Sequence, residues 1–300
     1  MSQWPPGLAG MFAPAPRALV SAHQRQIARD PWPGWGAGLA QDYPRALREA
    51  AAIQWAGRAA AEHGSVHQFA GALQVACEAR LPLAITGALA RLITDEVRHA
   101  ELCGQMALTL WPGAARLPWA VPRAPWAAPP AAPAEGATPQ AQLHWLGEAL
   151  LVACCFGEAL SVPMLQAIAV VATEPLAEAV AAQILRDEHL HARFGEEGLS
   201  LLLERGGDGL RGHLEGALPR TMGAFEASCC GDAALGASME GDVLTVEIEA
   251  GEEGAPNLGT LTETQYAAIF YATMEQEIFP TLRRLGLDPA AAWARRVRPR

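Results

Sequence analysis

Asp95-Glu96-Val97-Arg98-His99-Ala100 and Asp187-Glu188-His189-Leu190-His191-Ala192 are two short stretches that read as copies of one another. Each sets a carboxylate and an imidazole three residues apart, and on an α-helix that spacing places both on one face, one turn apart. One such pair can hold one metal ion. Four-helix bundles with a dinuclear centre draw a Glu-x-x-His from each of two helices and a lone Glu from each of the other two. The fold therefore turns on whether the chain supplies two more helices with one inward acid each.

Hydrophobic periodicity predicts four such helices. From Arg45 to about residue 79 the stripe Trp55, Ala59, Glu62, Val66, Phe69, Leu73 keeps a 3.6-residue period and carries one acid. Arg80-Leu81-Pro82 makes a brief turn, because proline is tolerated in a first helical turn. The second stripe, Ile85, Leu89, Leu92, Glu96, His99, Cys103, Met106, Leu110, follows. A third helix, about 140–171, presents Leu151, Cys154, Cys155, Glu158, Val162 and Leu165, with a kink expected at Pro163. Thr173-Glu174-Pro175 reads as turn and N-cap for a fourth, with Ala181, Ile184, Leu185, Glu188, His191, Gly195, Leu199 and Leu202 inward. Between the second and third lies a Pro- and Trp-rich segment, 111–140, without periodicity. Pro-rich chain extends about 3.1 Å per residue, enough to cross the length of a bundle.

Antiparallel geometry then tests which acids can meet. Glu96 lies about 22 Å past the turn near Leu81 at about 1.5 Å per residue, so its partner lies about as far before that turn. Glu62 meets this condition, whereas Glu78 sits at the turn itself. The same count from Pro175 to Glu188 selects Glu158 and leaves Glu148 about three turns too far. Glu62, Glu96, His99, Glu158, Glu188 and His191 are thus the candidate ligands, an oxygen and nitrogen set that suits iron or manganese. Four buried carboxylates without cations are very costly.

Outside this region the signals are weaker. Residues 1–45 form a Pro/Trp-rich arm, expected to be irregular and to pack on the outside; 46–205 is the four-helix region; 206–300 is an extension. The extension is expected to hold a helix at Leu210–Ala227, a short β element at Asp242–Glu249 and a last helix at Glu263–Leu285. The overall class is all-α with that one β element. The formal charge is −10 and all 22 basic residues are Arg, with no basic stripe before the C-terminal end, which argues against nucleic acid. No run of about twenty apolar residues free of charge and proline occurs, and the N-terminus lacks the basic-then-apolar order of a signal peptide. A cytoplasmic protein with no membrane partner is expected. Its six cysteines, two pairs of them vicinal, read as free thiols, with Cys77 and Cys103 in apolar stripes.

With both motifs, the lone glutamates and the crossover in place, the chain resembles the ferritin-like carboxylate-bridged di-iron superfamily over about residues 46–205. It looks closest to the oxygen-activating branch of ribonucleotide reductase small subunits, multicomponent monooxygenases and di-iron N-oxygenases. DEVRH matches the monooxygenase form DExRH, while DEHLH departs from it at Leu190. The resemblance implies two Fe ions, with Mn an alternative, bridged by Glu96 and Glu188, with Glu62 and Glu158 terminal and one histidine on each ion. It also implies that Asp95 and Asp187 accept hydrogen bonds from the histidines, with Arg98 beside them. The implied activity is O2 activation and oxidation of a small organic substrate by hydroxylation, desaturation or N-oxygenation. An N-oxygenase would carry a further histidine where this chain has Ile184. The rival readings are iron storage and manganese-catalase or peroxidase chemistry.

Cys103, Cys154, Cys155, Ile184 and Gly195 stand near the metal level and are the candidate lining of a substrate pocket, with Gly195 marking open space. As plain core residues, the cysteines are small hydrophobes. His63, His67 and His189 fall off the metal face, and Arg91 and Glu101 read as members of a solvated salt ladder. No tyrosine falls on the inner stripes, which argues against a tyrosyl radical. No flavin or iron–sulfur motif is visible, so electrons are expected from a donor protein or from the substrate. Assembly as a homodimer is compatible with the pattern.

Overall fold

The computed structural model describes residues 8–12, 16–27, 33–117, 132–133, 136–234 and 255–297. Helix is the only regular structure among the described residues. The expected β element, 242–249, lies outside them. Ahead of the core come α1 (Leu8–Met11) and α2 (Arg17–Ile27), then a 3-10 turn at Trp35–Ala37. The N-terminal arm is therefore partly helical, a correction to the irregular arm expected from its prolines. Its helices fall between the proline clusters, and they dock: Leu8 and Ile27 are buried, and His23 on α2 pairs with Glu101 at 2.6 Å.

The core begins with α3 (Arg45–Glu78) and α4 (Leu83–Leu110), each entered directly behind a proline, Pro44 and Pro82. Their turn closes as a Schellman motif: Leu81 N–H donates to the Ala76 carbonyl at 3.0 Å and Arg80 N–H to that of Cys77 at 3.1 Å. Arg80 itself takes the left-handed φ of 51° that the motif requires. These two helices pack along their length.

The third long helix is composite. α5 (Pro139–Leu150) starts on Thr138, whose hydroxyl accepts from Ala141 N–H. It runs into a π-helical stretch, Leu151–Glu158, and continues as α6 (Ala159–Val171). Pro163 lies inside α6, but the departure from regular α geometry falls in the turns before it, not at the proline where the kink was expected. By length and composition Pro139–Val171 is apolar enough to cross a membrane, with 44% of its most apolar window buried inside this fold. Glu148, Glu158 and Pro163 interrupt that apolar run.

α7 (Pro175–Cys230) is capped by Glu174, whose carboxylate accepts from Leu176 N–H at 3.1 Å and from Ala40 N–H of the arm at 3.1 Å. It unites the expected fourth and fifth helices and breaks at Gly207, where φ 54° and ψ −147° define a conformation open to glycine alone. Described residues beyond position 206 contribute to the core. Helices α8 (Glu263–Thr273), α9 (Phe279–Arg284) and α10 (Pro289–Ala294) bring Phe270, Leu282 and Trp293 into one cluster with Phe69 and Leu89. Arg284 clamps α9 to α7 through both oxygens of Glu196, at 2.7 and 2.9 Å. Trp55 Nε1–H donates to the Leu258 carbonyl at 2.8 Å, and Asn257 pairs with Thr173.

The apolar interior divides in two. One cluster gathers Phe69, Leu89, Leu92, Leu146, Leu150, Phe156 and Phe194; the other gathers Trp55, Ala59, Leu102, Cys103, Leu165, Ile168 and Ile184. The candidate ligands fall between these levels on every long helix. α7 also crosses the π-helical stretch at very short range, since a Cβ built on Gly195 would lie 2.5 Å from the Cys154 Cβ. Gly195 marks a close helix crossing, which corrects the expectation of open space there. Gly195→Ala is predicted to cost about 1–3 kcal/mol through overpacking, read as a lower urea midpoint at unchanged m-value.

Candidate metal centre

All six sequence-derived ligands meet. Their donor atoms form two overlapping groups, Glu62, Glu96, His99 and Glu188, and Glu96, Glu158, Glu188 and His191, each with its atoms within 4.8 Å of one another. Glu96 and Glu188 belong to both. Either group is a buried cluster of carboxylate and imidazole that could hold a metal ion.

The helices explain this placement. Glu96 and His99 share a face of α4 as an i, i+3 pair, and Glu188 and His191 do the same on α7. Glu62 reaches in from α3. Glu158 is the last residue of the π-helical stretch, whose wider turn changes the direction in which that residue projects, and such turns occur often at functional sites. This local distortion left no signal in the apolar periodicity beyond the neighbouring Gly157 and Pro163.

Both imidazoles aim Nδ1 at the centre. His99 Nδ1 lies 3.2 Å from Glu188 and 3.7 Å from Glu62; His191 Nδ1 lies 3.0 Å from Glu96, 3.5 Å from Glu188 and 3.7 Å from Glu158. Both oxygens of Glu96 and of Glu188, and Nδ1 of each histidine, are buried without a hydrogen-bond partner. Buried polar atoms are almost always satisfied. So many unpartnered donors converging on one point fit cation ligation, and two divalent ions would offset the charge of Glu62, Glu96, Glu158 and Glu188. The side chains of Glu62 and Glu158 keep 15% and 9% exposure while the other four have none, so the layer is most open toward the lone glutamates.

Behind the histidines the contacts cross between helices. Asp187 of α7 lies 3.3 Å from Nε2 of His99 on α4, and Asp95 of α4 lies 3.6 Å from Nε2 of His191 on α7. Arg98 donates to Asp187 at 2.5 Å, and Arg91 donates through Nε to both oxygens of Asp95 at 2.9 and 2.7 Å. Asp95 is fully buried, so the ladder suggested by the spacing is not a solvated one, and Glu101 leaves it for His23.

Electrostatics follow the geometry. Burial pushes the Glu96 carboxyl up to about 8 against the opposing pull of His191, and burial with Glu188 and Glu96 nearby raises Glu158 well above the ordinary carboxylate value. For Glu188, burial is outweighed by His191 and His99, and its acidity is enhanced. For both histidines burial opposes the charge, yet Asp187 with Glu188 and Glu62, and Asp95 with Glu158, Glu188 and Glu96, raise them above the ordinary imidazole value.

The remaining candidates lie around the layer as core. Cys103, Cys154, Cys155 and Ile184 are buried among apolar side chains, and burial raises all three thiols, so they are neutral rather than reactive. Cys77 is exposed, contrary to its place in an apolar stripe, while the described cysteines are all free. His63, His67 and His189 face outward as expected.

No protein-family model, curated protein or solved structure matches the chain.

Metal binding must displace the protons that the cluster carries. Loading the metal-free protein at pH 7 is predicted to release protons, and apparent affinity is predicted to rise with pH through about 8, where Glu96 ionises, and beyond it while Glu158 and the histidines still carry protons. Isothermal titration in buffers of different ionisation enthalpy checks this, and proton-neutral, pH-independent binding contradicts it.

Proposed function

We propose that this chain is a ferritin-like di-iron oxidase or oxygenase, built on a four-helix bundle, that reduces O2 and oxidises a small organic substrate. The observation that carries the reading is the sharing of Glu96 and Glu188 by two carboxylate–imidazole groups, the pattern of a centre with two bridging carboxylates. Glu62 and Glu158 would then be the terminal ligands, and His99 and His191 would each offer Nδ1 to one ion. Two iron ions held there would supply the electrons for reduction of O2 and so the oxidising power delivered to substrate.

The chain's own residues have definable tasks in this scheme. Asp187, 3.3 Å from Nε2 of His99, would hold that imidazole with its Nδ1 lone pair facing inward, whereas Nε2 of His191 stands 3.6 Å from Asp95, outside hydrogen-bond distance. Apolar clusters on either side of the layer exclude water and strengthen every charge interaction within it. The Glu62 side chain, at 15% the most exposed of the six candidate ligands, makes its side of the layer the approach for O2 and a small substrate. The sequence carries no flavin or iron–sulfur motif, so an electron-donor protein, or the substrate itself, completes the cycle.

Metal analysis of protein from iron- and manganese-supplemented cells, followed by anaerobic Fe(II) loading and exposure to O2, tests the proposal. The expected result is two irons per chain and O2 uptake with a transient visible absorption. Manganese with rapid peroxide breakdown overturns it, and iron that accumulates far beyond two per chain points to storage. Glu158→Ala is predicted to remove one of the two binding steps. Unchanged stoichiometry refutes the ligand assignment.

A further inference from the structure

We propose that Arg91 is a positioning residue of the centre, gripping the carboxylates behind both histidines from a half-exposed place on α4. The inference rests on the dinuclear reading above. Arg91 Nε donates to Asp95, and its terminal nitrogen lies 3.8 Å from Asp187 Oδ1. Asp95 lies behind His191 and Asp187 behind His99, so one guanidinium is in reach of the second layer of both metal subsites.

An ion pair with a side chain 45% exposed would ordinarily contribute little. Here the acids are buried, Asp95 completely and Asp187 nearly so, and removal of a partner from a buried carboxylate is strongly felt. Asp187 is also divided between partners: Oδ2 faces Arg98 and His99, and Oδ1 faces Arg91. Arg98 fixes one oxygen, and Arg91 sets the rotation of the carboxylate about it.

The two motif copies differ in the residues that flank their acids. Counting four residues back from Asp95 gives Arg91, whereas four back from Asp187 gives Gln183; three residues on from each acid stand Arg98 and Leu190. The guanidiniums seen on the two acids both come from α4. Gln183 is buried with its amide oxygen unpartnered, and Leu190 is exposed. α7 therefore contributes an acid whose charge is met from the opposite helix. A planar guanidinium can serve two carboxylates at once, whereas an ammonium is a point charge.

Arg91→Met and Arg91→Lys test the proposal. In the metal-free full-length protein with 15N-labelled histidine, long-range 1H–15N spectra report the state of each imidazole nitrogen. Arg91→Met is expected to shift the signals of both His99 and His191, and Arg91→Lys to restore at most one. In a Co(II) titration Arg91→Met is expected to keep two ions per chain while weakening both steps about 10- to 100-fold. Unchanged His99 signals in the Met variant, a lysine variant with the wild-type spectrum, or wild-type Co(II) affinity in the Met variant each overturn the two-carboxylate grip. If Arg91→Met does not fold, the lysine variant still decides, because its His99 signal must differ from wild type. Wild-type protein that binds no Co(II) instead overturns the dinuclear reading, and the metal-free spectra still decide the role of Arg91.

Discussion

A polar layer of four carboxylates and two imidazoles, buried between two apolar clusters, is the constraint on which the rest of the molecule depends. Ionised carboxylates taken out of water cost several kcal/mol each in real proteins, of order 20 kcal/mol in the idealised limit. Hydrophobic burial above and below must exceed that cost, or the layer must be neutralised by bound charge. Long helices serve the first need, because each carries an apolar stripe on both sides of its polar turn. Convergence of unpartnered oxygens and Nδ1 atoms serves the second, because it leaves a place where divalent cations repay the desolvation.

The crossed arrangement of the acids has a mechanical consequence. Asp95 and Asp187 each lie behind a histidine on the opposite helix, so α4 and α7 are joined through the second layer as well as through the ligands. Neither imidazole can turn without disturbing an acid on the other helix. Arg98, buried within the layer, and Arg91 at its edge supply positive charge to these acids. Much of the rigidity of the centre therefore comes from residues that touch no candidate metal position.

Peripheral segments reinforce the same layer. Glu174 caps α7 while holding the N-terminal arm at Ala40, and Asn257 ties the C-terminal segment to Thr173. Trp55 and Arg58 on α3 donate to the carbonyls of Leu258 and Gly259, and Arg58 also donates to the Tyr266 hydroxyl. Arg58 lies one helical turn from Glu62, so this strap packs beside the more open side of the layer. The post-Gly207 limb of α7 and helices α8 to α10 close the other apolar cluster.

Most of the site could be read from the amino-acid order because helices convert spacing into direction. Two Glu-x-x-His pairs, an acid in each remaining stripe and residue counts from two turns were enough to bring Glu62 and Glu158 to the level of Glu96 and Glu188. The same periodicity predicted α3, α4 and the first limb of α7. Periodicity carries no information about a turn that widens without losing its apolar face, so the π-helical stretch ending at Glu158 was not legible. Nor could it separate a glycine that leaves room from one that removes it, and Gly195 proved to be a contact with Cys154. By itself the sequence determined which side chains are available at one depth of an all-helical core. Tertiary structure alone decided that Asp95 lies behind His191 and Asp187 behind His99, that Arg91 reaches both acids, and that helices α8 to α10 join the core. Those pairings are set by the register and rotation of one helix against another, quantities that spacing along a single helix does not contain.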